Sequence, residues 1–398
     1  MTLRELASAL EIESYPEAFE RIYNQLDGDN TAFFNKDEFD VFEREYGILG
    51  EYYQLVIDGA EEIKKDKELS LWLSIITEYY KIATKSEIDA VKMPDRKTAG
   101  PDVLHIFPFL ARMDKTVETY KAHGFSKEEI CNTLELFHRV FVLTEMAKGE
   151  PGYSSRYRNR SKVYSYCEIF NCGSFNFQFE KMPYHAMLLK NKSTEEFSVV
   201  MTAEKFNESG LIFEEGFDSE EGSFTAEFSE TDEEYVGHEA IGGYVCRELE
   251  KFKKSEWECV VKRLDEVISL HIPRNADLSP DAIDRSIDIG IKIAKERFPE
   301  YKPRLIFCSS WLLDPQLGEL LNDGSKILGF ANRFMRFPCT ARHGMKGGFD
   351  FVFPSGSVDN LEALPENTSL QRKLKQHYIS GKSTVFVPGF MTDTIICY

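Results

Sequence analysis

The residues best placed to do chemistry lie in one stretch, where an apolar strand passes through a polar loop into a helix. Residues 267–272 predict the strand, and residues 273–278 form the loop. Ser279 and Pro280 then indicate a helix start, because serine accepts hydrogen bonds from the first free N–H groups and proline there loses none. A bare helix N-terminus favours negative charge. The pattern therefore predicts a site for an anionic group such as a pyrophosphate.

Three further elements must position this loop. Residues 280–298 carry apolar side chains on one helical stripe, so we expect this helix to pack on a sheet. Residues 305–308 are continuously apolar, as is typical of a buried central strand. Asp314 and Pro315 then indicate a second helix, which ends by Gly324. A packing unit of this kind without any ligand is the alternative interpretation of the same pattern.

The pattern changes near residue 150, which predicts two domains. Residues 1–148 have apolar side chains at helical spacing, and their last helix begins with a capping box at Ser126 and Glu129. A polar connector rich in Gly, Pro, Ser and Arg follows at 148–162. We therefore predict a helical N-terminal domain at 1–150 and an α+β domain at 151–398 with a mostly antiparallel mixed sheet flanked by helices.

The second domain shows the two-residue period of strands. A helix is expected only at 280–298, after Asp314 and at 370–378. The predicted strands are 163–170, 174–180, 185–190, 198–203, 211–215, 224–228, 244–247, 267–272, 305–308, 327–337, 348–353 and 384–388.

Composition narrows the class of protein. The N-terminus lacks an apolar signal region, no stretch approaches the ~18 apolar residues of a membrane span, and the eight cysteines show no paired motif. We therefore expect a cytoplasmic protein with reduced thiols and no membrane association. The net charge of −19 argues against nucleic acid as a partner.

The charge is unevenly distributed. Residues 204–239 hold thirteen acidic residues and one lysine, whereas residues 322–390 hold nine basic residues and five acidic ones. The acidic segment would attract a cationic amine, and a polyanionic ligand would favour the basic segment. Two solvated faces without a ligand are the simpler alternative.

Three phrases in this half of the chain resemble the GNAT-type N-acyltransferases. They are LHIP at 270–273, FCSSWLLDPQL at 307–317 and SKILGF at 325–330. The resemblance is densest over about residues 240–337 and is closest to a two-part family in which a helical N-terminal domain precedes a GNAT-like C-terminal domain. It implies acetyl-CoA or another acyl-CoA as co-substrate, a small-molecule amine as acceptor and no metal. It leaves the oligomeric state open.

In this superfamily a loop of the form [QR]-x-x-G-x-[GA] holds the pyrophosphate of acyl-CoA. The corresponding window is RNADLS at 274–279, where Arg274 matches the first position and Ser279 is small at the last. Asp277 replaces the middle glycine and brings a negative side chain near the expected phosphates. The binding residues that the resemblance implies are Leu270, Ile272, Arg274, Asn275, Ala276, Asp277 and Ser279.

The resemblance also implies that two neighbouring strands part near His271 and Cys308, so that the pantetheine arm can pair with exposed peptide groups. His271 would accept the proton of the amine, directly or through water. The superfamily often places a tyrosine on the second helix to protonate the leaving thiolate, but none lies between Asp314 and Asp323. Cys308, Ser309 or Ser310, at the end of the strand, would then take its place.

Two other functions fit the same residues. A binding module that keeps the fold without catalysis is favoured by Asp277 and by the missing tyrosine. A hydrolase acting on a thioester or amide through Cys308 or Ser310 is the third possibility.

Overall fold

The computed structural model describes residues 1–26, 33–338 and 347–396. The chain separates into two compact units, Met1–Phe170 and Asn171–Tyr398. The predicted α+β fold class, with helices first and a mixed sheet after them, is confirmed. The domain boundary expected at residue 150 stays a prediction, and the compact units divide twenty residues later.

Helices form the first unit. The capping box at Ser126 and Glu129 is present, and Gly149 ends the last of the expected helices in the left-handed conformation. The single helix expected after Ser126 is two helices that meet at Glu135. The helices are α1 (Leu3–Ala9), α2 (Ala18–Gln25), α3 (Lys36–Tyr46), α4 (Tyr53–Lys65), α5 (Lys67–Ile82), α6 (Phe107–Leu110), α7 (Met113–Ala122), α8 (Lys127–Leu134), α9 (Leu136–Lys148) and α10 (Arg158–Ser165).

Strands dominate the rest of the chain. They are β1 (Ile169–Cys172), β2 (Phe175–Lys181), β3 (Ala186–Asn191), β4 (Phe197–Met201), β5 (Lys205–Phe206), β6 (Phe224–Thr225), β7 (Ser229–Glu230), β8 (Glu234–Ile241), β9 (Tyr244–Lys253), β10 (Trp257–Val261), β11 (Glu266–His271), β12 (Ile306–Ser310), β13 (Met335–Arg336) and β14 (Val387–Met391). The helices among them are α11 (Pro280–Arg297), α12 (Leu317–Leu320), α13 (Lys326–Ala331), α14 (Phe349–Val352) and α15 (Ser369–Ile379).

Two larger sheets and one short pair organise these strands. The first sheet has the order β1-β2-β11-β12-β14-β13, and the second has the order β10-β3-β4-β8-β7, with β9 paired to β8. The short pair is β5 with β6. Among the pairs of known register only β11 with β12 is parallel; the others are antiparallel.

The two faces of the first sheet are covered differently. Val267 and Phe307 lie in a buried cluster with side chains of the second sheet, such as Leu188. On the opposite face, α11 approaches β2 so closely that a Cβ at Gly290 would lie 3.1 Å from the Phe177 ring. Because strand side chains alternate between faces, α11 and the second sheet contact opposite sides of β11.

Some predicted strands are wrong. Residues 158–165 are helical, and only Ile169–Cys172 forms a strand there. The segments 327–337 and 348–353 contain α13 and α14, and the only strand in them is the two-residue β13. The segment 211–215 contributes a single bridge between Ile212 and Phe206.

Candidate functional site

The parallel strands at the centre of the first sheet pair only at their beginnings. The pairing of β11 with β12 ends at Ser269 and Phe307. Each strand stays paired with its other neighbour to its last residue, β11 with β2 and β12 with β14. The predicted parting of the strands near His271 and Cys308 is therefore confirmed by the register.

The backbone of β11 directs hydrogen-bonding groups into this gap. The Ile268 N–H donates to the Leu305 carbonyl over 3.0 Å, so the peptide groups of Ile268 point towards β12. Strand residues alternate in this direction, and Leu270 therefore points its N–H and C=O to the same side. Because β12 has ceased to pair at that level, an extended ligand could add to the edge of β11 there.

The loop after β11 contains a tight turn. The Ala276 N–H donates to the Pro273 carbonyl over 3.0 Å, which places exposed Arg274 and Asn275 at the centre of the turn. Within the described loop, residues 272–279 all keep a negative φ. The replacement of glycine at position 277 of the superfamily window therefore costs this backbone no strain.

The Asp277 carboxylate accepts hydrogen bonds from Ser279 at the start of α11. Ser279 is the N-cap residue as predicted, but its hydroxyl makes no capping bond to the helix, contrary to expectation. The hydroxyl donates to Asp277 Oδ2 over 2.8 Å, and the Ser279 N–H donates to Oδ1 over 2.9 Å. These bonds, with help from Lys326 Nζ at 3.3 Å, lower the pKa of Asp277 and keep it ionised.

His271 lies at the end of β11, where the strands part. It is half-buried, and its Nε2 lies 2.8 Å from Gln178 Oε1 on β2. His271 pairs across the strands with Asn176, and Ser269 pairs with Gln178, so these four side chains share one face of the sheet. That face is the one opposite α11.

Cys308 and Ser310 have roles that fit packing better than catalysis. Cys308 is fully buried, and burial raises the pKa of its thiol, so it is both a poor nucleophile and a poor acid. The Ser310 hydroxyl is also buried and accepts a hydrogen bond from the Leu312 N–H over 3.2 Å, which caps the turn after β12. Neither residue contacts His271 in any described hydrogen bond.

A cleft opens at the same end of the sheet, where β12 ends and β14 begins. Asp314 lies in its wall and accepts hydrogen bonds from the Val385 and Gln316 backbone N–H groups over 3.0 and 2.9 Å. Burial raises the pKa of Asp314. The cleft is lined by Leu211, Gly243, Tyr244, Asp314, Pro315, Gln316, Pro338, Val385, Phe386 and Val387.

The sequence pattern assigned no role in the site to two residues that lie near it. Gln178 reaches His271 from a strand 93 residues earlier, and Lys326 reaches Asp277 from 49 residues later. The only sequence signal for Gln178 is its polarity between Phe177 and Phe179, which places it on the face opposite these rings. Lys326 is the first residue of α13 and immediately precedes the segment 327–337 that the strand pattern misassigned.

Some features are absent from the described parts of the chain. No helix there is both long and apolar enough to cross a membrane. No group of three or more His, Cys, Asp or Glu side chains there is arranged to hold a metal ion. Six of the eight cysteines lie there and form no disulfide with one another, and Cys339 and Cys397 lie outside these residues.

Parallel strands that part beside a loop and a helix start define a GNAT-like domain. The family model of the GNAT-like C-terminal domain matches residues 169–391 of this sequence. The chain therefore belongs to the GNAT-like family in which a helical N-terminal region precedes this domain. No curated protein matches it in sequence.

Solved structures of acyltransferases are similar along the whole chain. One, an acyltransferase in complex with decanoyl-CoA and teicoplanin, matches with a TM-score of 0.60 and 17% identity over 98% of this chain and 99% of that one. Another, an acyltransferase mutant in complex with octanoyl-CoA, matches with a TM-score of 0.62 and 17% identity over all of both chains. At this identity the likeness establishes the shared fold.

Proposed function

We propose that this protein transfers an acyl group from acyl-CoA to the amine of a small-molecule acceptor. The observation that carries the proposal is the loss of pairing between β11 and β12 after Ser269 and Phe307. The pantetheine arm would lie along Leu270 and Ile272, and its amides would pair with the edge of β11. The complexes of similar structures with decanoyl-CoA and octanoyl-CoA support a medium-chain acyl-CoA as donor, whereas acetyl-CoA rests on the sequence resemblance alone.

The pyrophosphate would lie over the turn at residues 274–279. Arg274 is exposed at its centre and offers a charged, bidentate donor. The helix dipole of α11 adds to this attraction. The negative charge of Asp277 would repel the pyrophosphate. Lys326, which forms an ion pair with Asp277, would partly offset this charge.

His271 is the proposed general base. The amine nitrogen attacks the thioester carbonyl, the C–N bond forms, the C–S bond breaks and CoA leaves as the thiolate. The proton lost by the amine passes to His271, and a proton returns from the imidazolium to the thiolate, directly or through water. Backbone N–H groups at the edge of β11 would polarise the carbonyl.

Acyl transfer can be tested by thiol release. Purified protein is incubated with acetyl-, octanoyl- or decanoyl-CoA and a panel of amines, amino acids and polyamines, and mass spectrometry identifies the acylated product. We expect amine-dependent release, and a roughly 10²- to 10⁴-fold lower rate for His271→Gln with unchanged acyl-CoA affinity. Release that is equal without any amine would instead indicate a hydrolase.

A non-catalytic binding module is the second candidate, because Asp277 occupies the helix start and Cys308 is inaccessible. Calorimetry separates the two functions. Acyl-CoA binding without turnover for any amine would support a module that binds CoA. Absence of binding at high micromolar acyl-CoA would contradict the transferase and favour a module that binds another small molecule.

A further inference from the structure

The β2 strand presents two different faces beside the proposed active site. Phe177 contacts α11 at Gly290, and Phe179 stacks on Tyr301 with a centroid distance of 4.7 Å. Because side chains alternate along a strand, Asn176 and Gln178 lie on the opposite face. This is the face that carries His271.

Gln178 and His271 are joined by a direct hydrogen bond. The Gln178 Oε1 atom lies 2.8 Å from His271 Nε2, and it is a carbonyl oxygen that can only accept. With the Gln178 amide in this orientation, the bond requires a proton on Nε2. In this tautomer the lone pair of the neutral imidazole is on Nδ1.

The bond also fixes the plane of the ring. Gln178 extends from β2, which stays paired with β11 from Glu266 through His271, so both ends of the bond are held by one continuous ladder. Histidines that act on protons or metals are commonly held in one tautomer and orientation by a partner of this kind.

We propose that Gln178 is a positioning residue that holds His271 as the Nε2–H tautomer and makes Nδ1 the atom that takes the proton. This inference rests on the proposed function for its catalytic consequence, because His271 is there the general base. The tautomer itself is a property of the folded chain without substrate.

The tautomer can be measured without turnover. The full-length protein is labelled with ¹⁵N-histidine, and the His271 resonances are assigned by their loss in His271→Gln. We expect Nε2 to carry the proton at pH 8, and Gln178→Leu to give a mixture of both tautomers. A proton on Nδ1 in the unaltered protein would overturn the inference.

A carboxylate in place of the amide provides a second variant with the same shape. In Gln178→Glu the new charge would stabilise the imidazolium, so the titration midpoint of His271 should rise by about one pH unit or more. The acid limb of the pH–rate profile should move by the same amount. Gln371→Glu, the same change in the capping box of α15, should leave both unchanged.

These readouts distinguish the inference from the proposed function. An unmoved midpoint in Gln178→Glu would overturn the role of Gln178, even if His271→Gln abolished transfer. A raised midpoint in a protein that transfers no acyl group would uphold the bond and reject the proposed function.

Discussion

At the start of α11, Asp277 places an ionised carboxylate where the proposed site needs positive potential. Its two oxygens hold the Ser279 N–H and hydroxyl, and these bonds lower the pKa of Asp277. A pyrophosphate at this helix start would compete for the same donors and would meet a like charge. In the proposed complex, the side chain of Asp277 would therefore lower the affinity for acyl-CoA.

Removal of this charge should strengthen acyl-CoA binding. In Asp277→Asn the amide oxygen can still accept from Ser279, so the turn is retained while the repulsion is lost. We expect the dissociation constant to fall by about tenfold, measured by calorimetry. Asp265→Asn is the matched control, because Asp265 also accepts a backbone N–H in a turn, at the other end of β11. Weaker binding by Asp277→Asn would contradict the placement of the pyrophosphate.

Reversal of the charge at Arg274 should have the opposite effect. Arg274→Glu puts a carboxylate at the exposed centre of the turn, and we expect acyl-CoA affinity to fall by roughly tenfold or more. The difference should shrink at high salt, since the site is exposed. Lys262→Glu is the matched control, because it also replaces a positive charge with a negative one, at an exposed position before β11. Equal affinities in both variants would mean that another loop binds the phosphates.

Single residues could be predicted from sequence where the local pattern determines them. His271 follows from the apolar strand, and Arg274 follows from the loop that succeeds it. The role of Gln178 could not be predicted, because it depends on the register of two strands far apart in sequence. The structural role of Ser310 was equally hidden, since its hydroxyl accepts from a backbone group two residues later.

The element that most closely supports the site is α11. Its buried residues Ile283, Ile287 and Ala294 follow the predicted stripe, and Gly290 lies among them where the helix crosses Phe177. Glycine normally weakens a helix interior, by about 1 kcal/mol relative to alanine. Here its lack of a side chain lets the helix approach the sheet, and this approach sets the position of the helix start beside β11.

A larger residue at position 290 should therefore destabilise the protein. Gly290→Val would drive two methyl groups against the Phe177 ring, because even a Cβ lies 3.1 Å from it. We expect the free energy of unfolding to fall by about 1–3 kcal/mol in urea titrations. Gly329→Val in α13, where nothing lies within 4 Å of a Cβ, should be neutral or stabilising. Equal stability of both variants would show that α11 can shift away from β2.

Two of the misassigned elements show how the pattern of apolar residues misleads. In the segment 348–353 three phenylalanines alternate, as in a strand, but Phe349 and Phe353 are buried while Phe351 is 47% exposed. This is the four-residue spacing of a helix. In α10 the buried face includes Ser161 and Ser165, whose hydroxyls donate to backbone carbonyls one turn earlier. A hydrophobic pattern cannot reveal such a face.

At the scale of the whole molecule, histidines shielded from water should make the stability of the fold depend on pH. Burial lowers the pKa of His377 in α15 and of His105 in the first unit. His377 Nε2 has no hydrogen-bond partner in the described structure. A hydrogen bond with the Ser383 backbone opposes the lowering of the pKa, and Asp314, Glu319 and Lys382 act on the charge of the ring from neighbouring elements. The folded chain therefore favours the neutral imidazole at both histidines.

The protein should lose stability as the pH falls below the pKa of a free histidine, which is about 6.5. Below that pH the unfolded chain binds the proton before the folded one, so the loss begins there and is complete below the lower folded pKa. Burial raises the pKa of Asp314, so this residue lowers stability as the pH rises from the pKa of a free aspartate to its folded pKa, which is the reverse of the histidine dependence. Comparison of a His377 variant with the unaltered protein isolates the contribution of His377 to the pH dependence of stability.

We expect the urea concentration at the unfolding midpoint to be lower at pH 5.5 than at pH 7.5. The difference between the two pH values should be smaller in His377→Gln. Gln376→Ala, at an exposed neighbour on the same helix, removes no titratable group and should keep the full dependence. If His377→Gln loses as much stability as the unaltered protein, the imidazole of His377 is charged in the folded chain. In that case Asp314, which lies in the wall of the cleft beside β14, would be the group that compensates its charge.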